Sequence, residues 1–146
     1  MIVIVSGTPG TGKTTFAKKY AKEHKFKYLD VNKLIEEKNL IDGFDKERNS
    51  KIIDVKKLNK ALTEEIKKQE NMVIDSHLSH YLPKKYVDLC FITKCDLKEL
   101  KKRLKKRRYS EKKIRENMDS EIFDICRQEA IEAGHKVETV YTDLKK

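Results

Sequence analysis

Gly7, Gly12, Lys13 and Thr14 satisfy the spacing G-x-x-x-x-G-K-[ST], with Gly10 as an extra glycine inside the loop. Backbone N–H groups turn inward around phosphate oxygens most easily where side chains are absent. A helix beginning near Gly12 also aims its positive dipole end at that point. In such a loop the lysine reaches the β- and γ-phosphates of a nucleotide, and the threonine hydroxyl ligates Mg²⁺. The bland alternative is an ordinary glycine-rich turn. The apolar run before the loop and the helical pattern after it argue for the phosphate cradle.

Phosphoryl chemistry in such a cradle needs a carboxylate at the end of a neighbouring strand, to hold Mg²⁺ or its waters. Asp75, at the end of the apolar run Met-Val-Ile-Asp, is placed for that, and a buried Asp without a task would be costly. His77 follows two residues later. Two readings of it stand side by side: it orients a water or a phosphate, or it makes one local hydrogen bond in a loop. His77 and His80 lack the further ligands that a metal pair needs.

A second cation group lies in the basic run at residues 101–108, KKRLKKRR. Leu97, Leu100 and Leu104 mark one helix face, and Arg103 and Arg107, four apart, share another. Paired arginines suit a bidentate grip on phosphate oxygens and neutralise charge on a transferring phosphoryl group. A solvated basic face accounts for most of the lysines. An RNA-binding stripe would want interleaved aromatics, and Tyr109 is the only one beside this run. Residues 92–96, ITKCD, imitate the guanine-reading [NT]-K-x-D. The chain from Asp75 lacks the glycine of D-x-x-G, however, and Asp96 with Glu99 reads as a helix capping box. A guanine-nucleotide-binding protein remains the weaker alternative.

The elements that must carry these residues alternate along the chain. Apolar runs at residues 2–6, 27–31, 72–76, 87–93 and 136–142 read as strands. Helical patterns lie near 13–24, 55–70, 97–106 and 110–133, the last ended by Gly134. Near-continuous apolar strands suit a parallel sheet covered on both faces. The expected architecture is therefore a doubly wound α/β fold. Residues 32–54 exceed what a plain crossover needs and read as a functional insertion.

A length of 146 residues suits one domain, residues 1–146. The chain is 38% hydrophobic and 40% charged, which describes a globular protein with a highly ionic surface and excludes a disordered one. The net charge of +10 fits either solubility or attraction to nucleotides and RNA. The first apolar run is five residues long, so no signal peptide or membrane span is expected. Cys90, Cys95 and Cys126 are odd in number and form no Cys-x-x-Cys, which points to a reducing cytoplasm, with Cys90 in the core.

Taken together, GTPGTGKTT, YLDVNKLIEEKNLIDGFDKE, VIDSH and RLKKRRYSEKKIRENMDSEIF resemble the adenylate kinase isoenzyme 6 family, also called the coilin-interacting nuclear ATPase family, over residues 2–133. The resemblance implies a P-loop NTPase three-layer sandwich with a five-stranded parallel sheet, a short lid and a monophosphate-binding insertion. It implies transfer of phosphate from ATP to AMP, ATP hydrolysis, and help in maturing the small ribosomal subunit and its RNA through a ribosomal protein of the platform. By that resemblance Gly10, Gly12, Lys13, Thr14 and Thr15 match the ATP-phosphate loop, and Asp75 and His77 match a Walker-B-like pair. Arg107 matches the lid arginine within residues 106–116, and residues 30–53 match the monophosphate-binding region. There are departures. Ser76 and Leu78 stand where the family often has Tyr and Gly, and the last strand lies near the end of the sequence, where longer members carry a further helix. Arg48 is the one arginine between the phosphate loop and Arg103, whereas ordinary adenylate kinases grip the AMP phosphate with arginines from that region. Two outputs stay open: a monophosphate kinase, or an assembly ATPase cycling on a ribosomal partner.

Overall fold

The structure is a computed structural model that describes residues 1–47 and 50–143. In chain order its elements are β1 (Ile2–Gly7), α1 (Lys13–His24), β2 (Lys27–Asp30), α2 (Val31–Glu37), β3 (Ile41–Asp45), β4 (Ser50–Ile53), α3 (Val55–Lys67), β5 (Met72–Asp75), β6 (Leu89–Lys94), α4 (Leu97–Lys106), α5 (Glu111–Ile122), α6 (Ile125–Glu132) and β7 (Val137–Tyr141). Five strands form one parallel sheet in the order β2-β5-β1-β6-β7.

Alternation within the apolar strands explains why helices cover both faces. Ile2, Ile4, Met72 and Ile74 point to one side, into a core with Leu34, Leu58, Leu62 and Ala130 from α2, α3 and α6. Val3, Val5 and Val73 point to the other, against Ala17 and Ala21 of α1. Both faces of the central strands are thus shielded from water, as the unbroken apolar runs require. The register sets Val5 of β1 opposite Asp75 of β5. Beyond those partners, at the carboxyl edge of the sheet, β1 runs into the glycine loop beside Asp75, where open α/β sheets bind their ligands.

A third cluster braces the loop from outside. Leu100, Leu104 and Cys95 are buried against Tyr109, Ile114 and Met118 of the α4–α5 layer. A Cβ on Gly10 would lie 3.0 Å from Leu104 Cδ2 and 3.1 Å from Leu100 Cδ1, so the glycine lets α4 approach the loop closely. Leu104→Ala is expected to cost about 2–5 kcal/mol of stability through the cavity it leaves. It should also weaken ATP binding, because the loop loses its support. Denaturant unfolding and ATP titration of the same variant check both effects.

One expectation needs correction, and the insertion gains elements of its own. The helical pattern at residues 110–133 is two helices, α5 and α6, broken at Asp124, which is left-handed (φ 55°). Asp tolerates that conformation better than most residues. Here its carboxylate is also held by Lys94 Nζ at 2.8 Å and Arg127 Nη1 at 3.1 Å. The insertion contains α2 and an antiparallel hairpin of β3 and β4. Asp42, Gly43 and Asp45 are poor strand formers, which hid β3 in the sequence. Gly134 closes α6 as expected: at φ 87° its N–H reaches the Ile131 carbonyl at 3.0 Å, and His135 N–H reaches that of Ala130 at 3.2 Å.

Candidate active site

The loop from Gly7 to Gly12 encloses a concave backbone surface. Gly7 sits at φ 144°, and a Cβ there would lie 2.6 Å from Thr93 Oγ1 and 2.7 Å from the Thr93 carbonyl, so no side chain fits. Gly12 is the N-cap of α1, and no side chain caps it. The first-turn N–H groups are therefore available to an anion. Thr11 Oγ1 donates to the Thr8 carbonyl at 2.6 Å and is hydrogen bonded to Thr93 Oγ1 at 2.8 Å, which fixes the loop to β6.

Lys13 curls over this surface. Its Nζ donates to the carbonyls of Gly7 at 3.1 Å and Thr8 at 3.3 Å. Desolvation pushes its pKa down to about 8, with the Asp75 charge pulling the other way. Next to it, Thr14 Oγ1 donates to Asp75 Oδ2 at 2.7 Å, and Tyr28 OH donates to the same oxygen at 2.7 Å. Burial first, then the hydrogen bond and charge of Asp75, hold the Tyr28 phenol above its ordinary value, so it stays a donor. Lys13, Thr14 and Asp75 thus meet where the sequence motif places them.

His77 stands past the end of β5, exposed and without a hydrogen-bond partner among the described residues. Although the residue is exposed, the protein around its ring desolvates it, and with the charge of Lys13 this keeps its imidazole below the ordinary value, so it is neutral at pH 7. His80 has a different position. It is buried, its Nδ1 hydrogen bonded to Ser6 Oγ at 2.7 Å and its Nε2 3.7 Å from Glu129 Oε1. His135 Nε2–H donates to the His80 carbonyl at 2.9 Å. His77 is thus exposed and His80 buried, and no group of three or more His, Cys, Asp or Glu gathers among the described residues.

The two arginines also separate. Arg103 Nη1 donates to the Gly10 carbonyl at 3.3 Å and to Thr142 Oγ1 at 3.1 Å, while its Nε pairs with Glu99 at 3.2 Å. Thr142 Oγ1 in turn donates to the Thr11 carbonyl at 2.5 Å. Arg103 is thereby built into the outer wall of the loop. The Arg107 side chain, at the exposed end of α4, makes one hydrogen bond among the described residues, to Tyr109 OH at 3.4 Å. Both line a cleft of about 690 Å³ together with Gly12, Thr15, Phe16 and Thr142, a volume suited to a base and sugar. Arg48 lies outside the described residues.

The guanine-like motif is engaged in structural contacts. Lys94 sits between Glu121 at 3.0 Å and Asp124 at 2.8 Å. Asp96 caps α4 by accepting from Lys98 N–H at 3.1 Å, but Glu99 turns to Arg103, so only half of the expected capping box forms. The reason is proximity: Asp143 takes the Asp96 N–H at 3.0 Å, leaving Glu99 for the guanidinium.

Thr14 and Asp75 offer hard oxygen donors, which fit Mg²⁺. That ion takes one or two protein oxygens and fills its shell with water and substrate phosphates.

Tyr28, Ser6 and Thr142 were not visible as site residues in the sequence, and His80 was weighed only as a metal ligand. Their roles arise from strand register and from residue 142 returning beside the loop, and neither leaves a local pattern.

A family model described as AAA domain matches residues 3–124. The chain is 39% identical to a Methanosarcina barkeri protein named "Putative adenylate kinase", over 99% of this chain and 79% of that one. It is 34% identical to the Saccharomyces cerevisiae "Adenylate kinase isoenzyme 6 homolog FAP7", over 98% of this chain and 74% of that one. Among solved structures, shikimate kinase from Bacteroides thetaiotaomicron superposes with a TM-score of 0.66 at 19% identity, covering 98% of this chain and 86% of its own. At that identity the likeness shows the fold alone.

Proposed function

The chain belongs to the adenylate kinase isoenzyme 6 family, and from that premise we propose that it transfers the γ-phosphoryl group of ATP to AMP or another nucleoside monophosphate and also hydrolyses ATP. The observation that carries this reading is the convergence of Lys13, Thr14 and Asp75 beside the glycine loop, with Thr14 and Asp75 joined at 2.7 Å. Thr14 and Asp75 would hold Mg²⁺, which when bound neutralises charge on the phosphate oxygens. Gly7, Gly10, Gly12 and Thr15 form or flank the cradle, and Lys13 leaves its two carbonyl partners for the phosphates. The cleft beside Thr15, Arg103 and Thr142 takes the base and sugar. No strong general base is needed for AMP, whose phosphate is mostly dianionic at pH 7. Catalysis is then positioning plus charge neutralisation.

In this reading residues 106–116 act as a lid and residues 30–53 receive the monophosphate, within a single domain. A contact between these regions supports the arrangement: Lys112 Nζ meets Glu47 Oε2 at 3.0 Å. Among the described residues no helix is long and apolar enough to cross a membrane. We place the activity in the cytoplasm. A panel of ATP or GTP against AMP, CMP, GMP and UMP, read for diphosphate products, tests the proposal. Diphosphate formed from ATP and at least one monophosphate supports it. GTP used in preference to ATP would favour the guanine-nucleotide alternative.

Water, unlike AMP, must be aimed, and His77 is the neutral side chain standing at the mouth of the site. His77→Ala is therefore expected to lower ATP hydrolysis by about 10-fold or more while lowering AMP phosphorylation much less. Phosphate release from ATP alone and ADP formation from ATP plus AMP, run side by side, check this. Equal losses would reduce His77 to a general phosphate-positioning residue.

A second reading is an assembly ATPase acting on a small-subunit ribosomal protein of the platform, with RNA contacts through the basic face of α4. An exposed apolar corner favours it: Ile122, Phe123 and Ile125 are 53%, 68% and 42% exposed at the α5–α6 break. Hydrolysis stimulated by such a partner, and indifferent to monophosphates, would select this reading.

A further inference from the structure

The Asp75 carboxylate is held from one side. Its Oδ2 accepts two hydroxyl hydrogens, from Thr14 Oγ1 and Tyr28 OH, each at 2.7 Å, and no hydrogen bond from the described residues reaches Oδ1. The two donors differ in how firmly they are placed. Thr14 is an exposed residue at the start of α1, and its hydroxyl is a rotor. Tyr28 lies on β2 with its ring packed against the Val3, Val5, Ala17 and Val73 cluster, and its hydroxyl, beside Thr14, donates to Asp75.

Strand register explains the reach. In the parallel β2–β5 ladder Tyr28 pairs with Val73, and Asp30 pairs with Asp75. Side chains two residues apart on a strand share a face, so Val73 and Asp75 point to the α1 side together. A tyrosine opposite Val73 on the same face is long enough to extend diagonally to Asp75, as aromatic side chains do between neighbouring strands. A phenylalanine at position 28 would fill the same space and leave the carboxylate with the Thr14 hydroxyl alone.

We infer that Tyr28 is a positioning residue of the phosphoryl-transfer site, whose hydroxyl fixes the orientation of the Asp75 carboxylate toward Mg²⁺–ATP. The inference rests on the reading of Asp75 as the metal-side carboxylate. Tyr28 touches neither phosphate nor base in this role; it acts through Asp75. Outer partners of this kind typically govern 10- to 100-fold in metal affinity, because a carboxylate that must be oriented at the moment of binding costs rotational freedom.

The test measures ATP affinity by calorimetry, once in EDTA and once in Mg²⁺, for the unmodified protein, Tyr28→Phe and Asp75→Asn. The expected result is a Mg²⁺-dependent gain in the unmodified protein that Asp75→Asn loses and that Tyr28→Phe reduces by about 10-fold. The metal-free ATP affinity of Tyr28→Phe should be unchanged, which shows that the site is folded. A full Mg²⁺ gain in Tyr28→Phe, with the gain lost in Asp75→Asn, would overturn the role of Tyr28 and leave the Asp75 reading standing. Loss of affinity by the same factor with and without Mg²⁺ would overturn it too, as a packing defect. A full gain in Asp75→Asn would remove the premise and the inference together.

Discussion

Replacing Lys13 by alanine lowers phosphoryl transfer by about 10²–10³-fold and leaves the fold intact. The size follows from deleting a preorganised positive group aimed at charge that builds up during transfer. The intact fold follows from what the Lys13 ammonium donates to among the described residues, the loop carbonyls of Gly7 and Thr8. Desolvation pushes the pKa of this ammonium down to about 8, a perturbation that supports a role with a phosphate present. ADP formation and the thermal midpoint of the variant check the two halves together. Near-normal transfer would mean that the phosphate loop is misassigned.

Replacing Arg107 by alanine lowers turnover by roughly 10³-fold while ATP affinity changes little. Arginines that arrive at the transferring group have effects of at least that size on turnover. Arg107 and Arg103 share a helix face but not a task. Arg103 is fixed by Gly10, Thr142 and Glu99, so its loss should loosen the loop and weaken ATP binding. Arg107 stands exposed with one long side-chain hydrogen bond among the described residues, to Tyr109, so in the proposed lid its gain would come on closure and count mainly in the transition state. Steady-state turnover and ATP dissociation constants for Arg107→Ala and Arg103→Ala separate the two roles. A loss of ATP affinity in Arg107→Ala with unchanged turnover would contradict this assignment. A neutral Arg107→Ala with a large effect at Arg108 would move the lid arginine by one position.

The alternation of apolar runs with helical periods was enough to read five strands in an α/β order, and the near-continuous apolar runs of β1, β5 and β6 marked the central strands, which are covered on both faces. The glycine spacing and Asp75 were legible for a related reason: tight loops and buried carboxylates exclude most other residues. Connections made in three dimensions were not legible. Asp124 reads as an ordinary helical position until Lys94 and Arg127 are seen to hold it left-handed. In the β3–β4 hairpin, Asp42, Gly43 and Asp45 of β3 have little strand preference and hid that strand. Tyr28 looks like one more aromatic on a strand, and only the β2–β5 register brings its hydroxyl to Asp75. His77 and His80, three residues apart, look alike in the sequence, yet one is exposed beyond Asp75 and the other is buried against Ser6.

The central claim is that phosphate leaves ATP for a nucleoside monophosphate bound to this chain. Isotope-labelled AMP, unlabelled ATP and Mg²⁺ are incubated with the protein, and the label is followed into ADP while ATP loss is recorded. Labelled ADP is expected to appear in step with ATP loss, with Lys13→Ala slowing both by about 10²–10³-fold. ATP loss that is accompanied by inorganic phosphate, and by no label in ADP or in the diphosphate of any other labelled monophosphate, would contradict it.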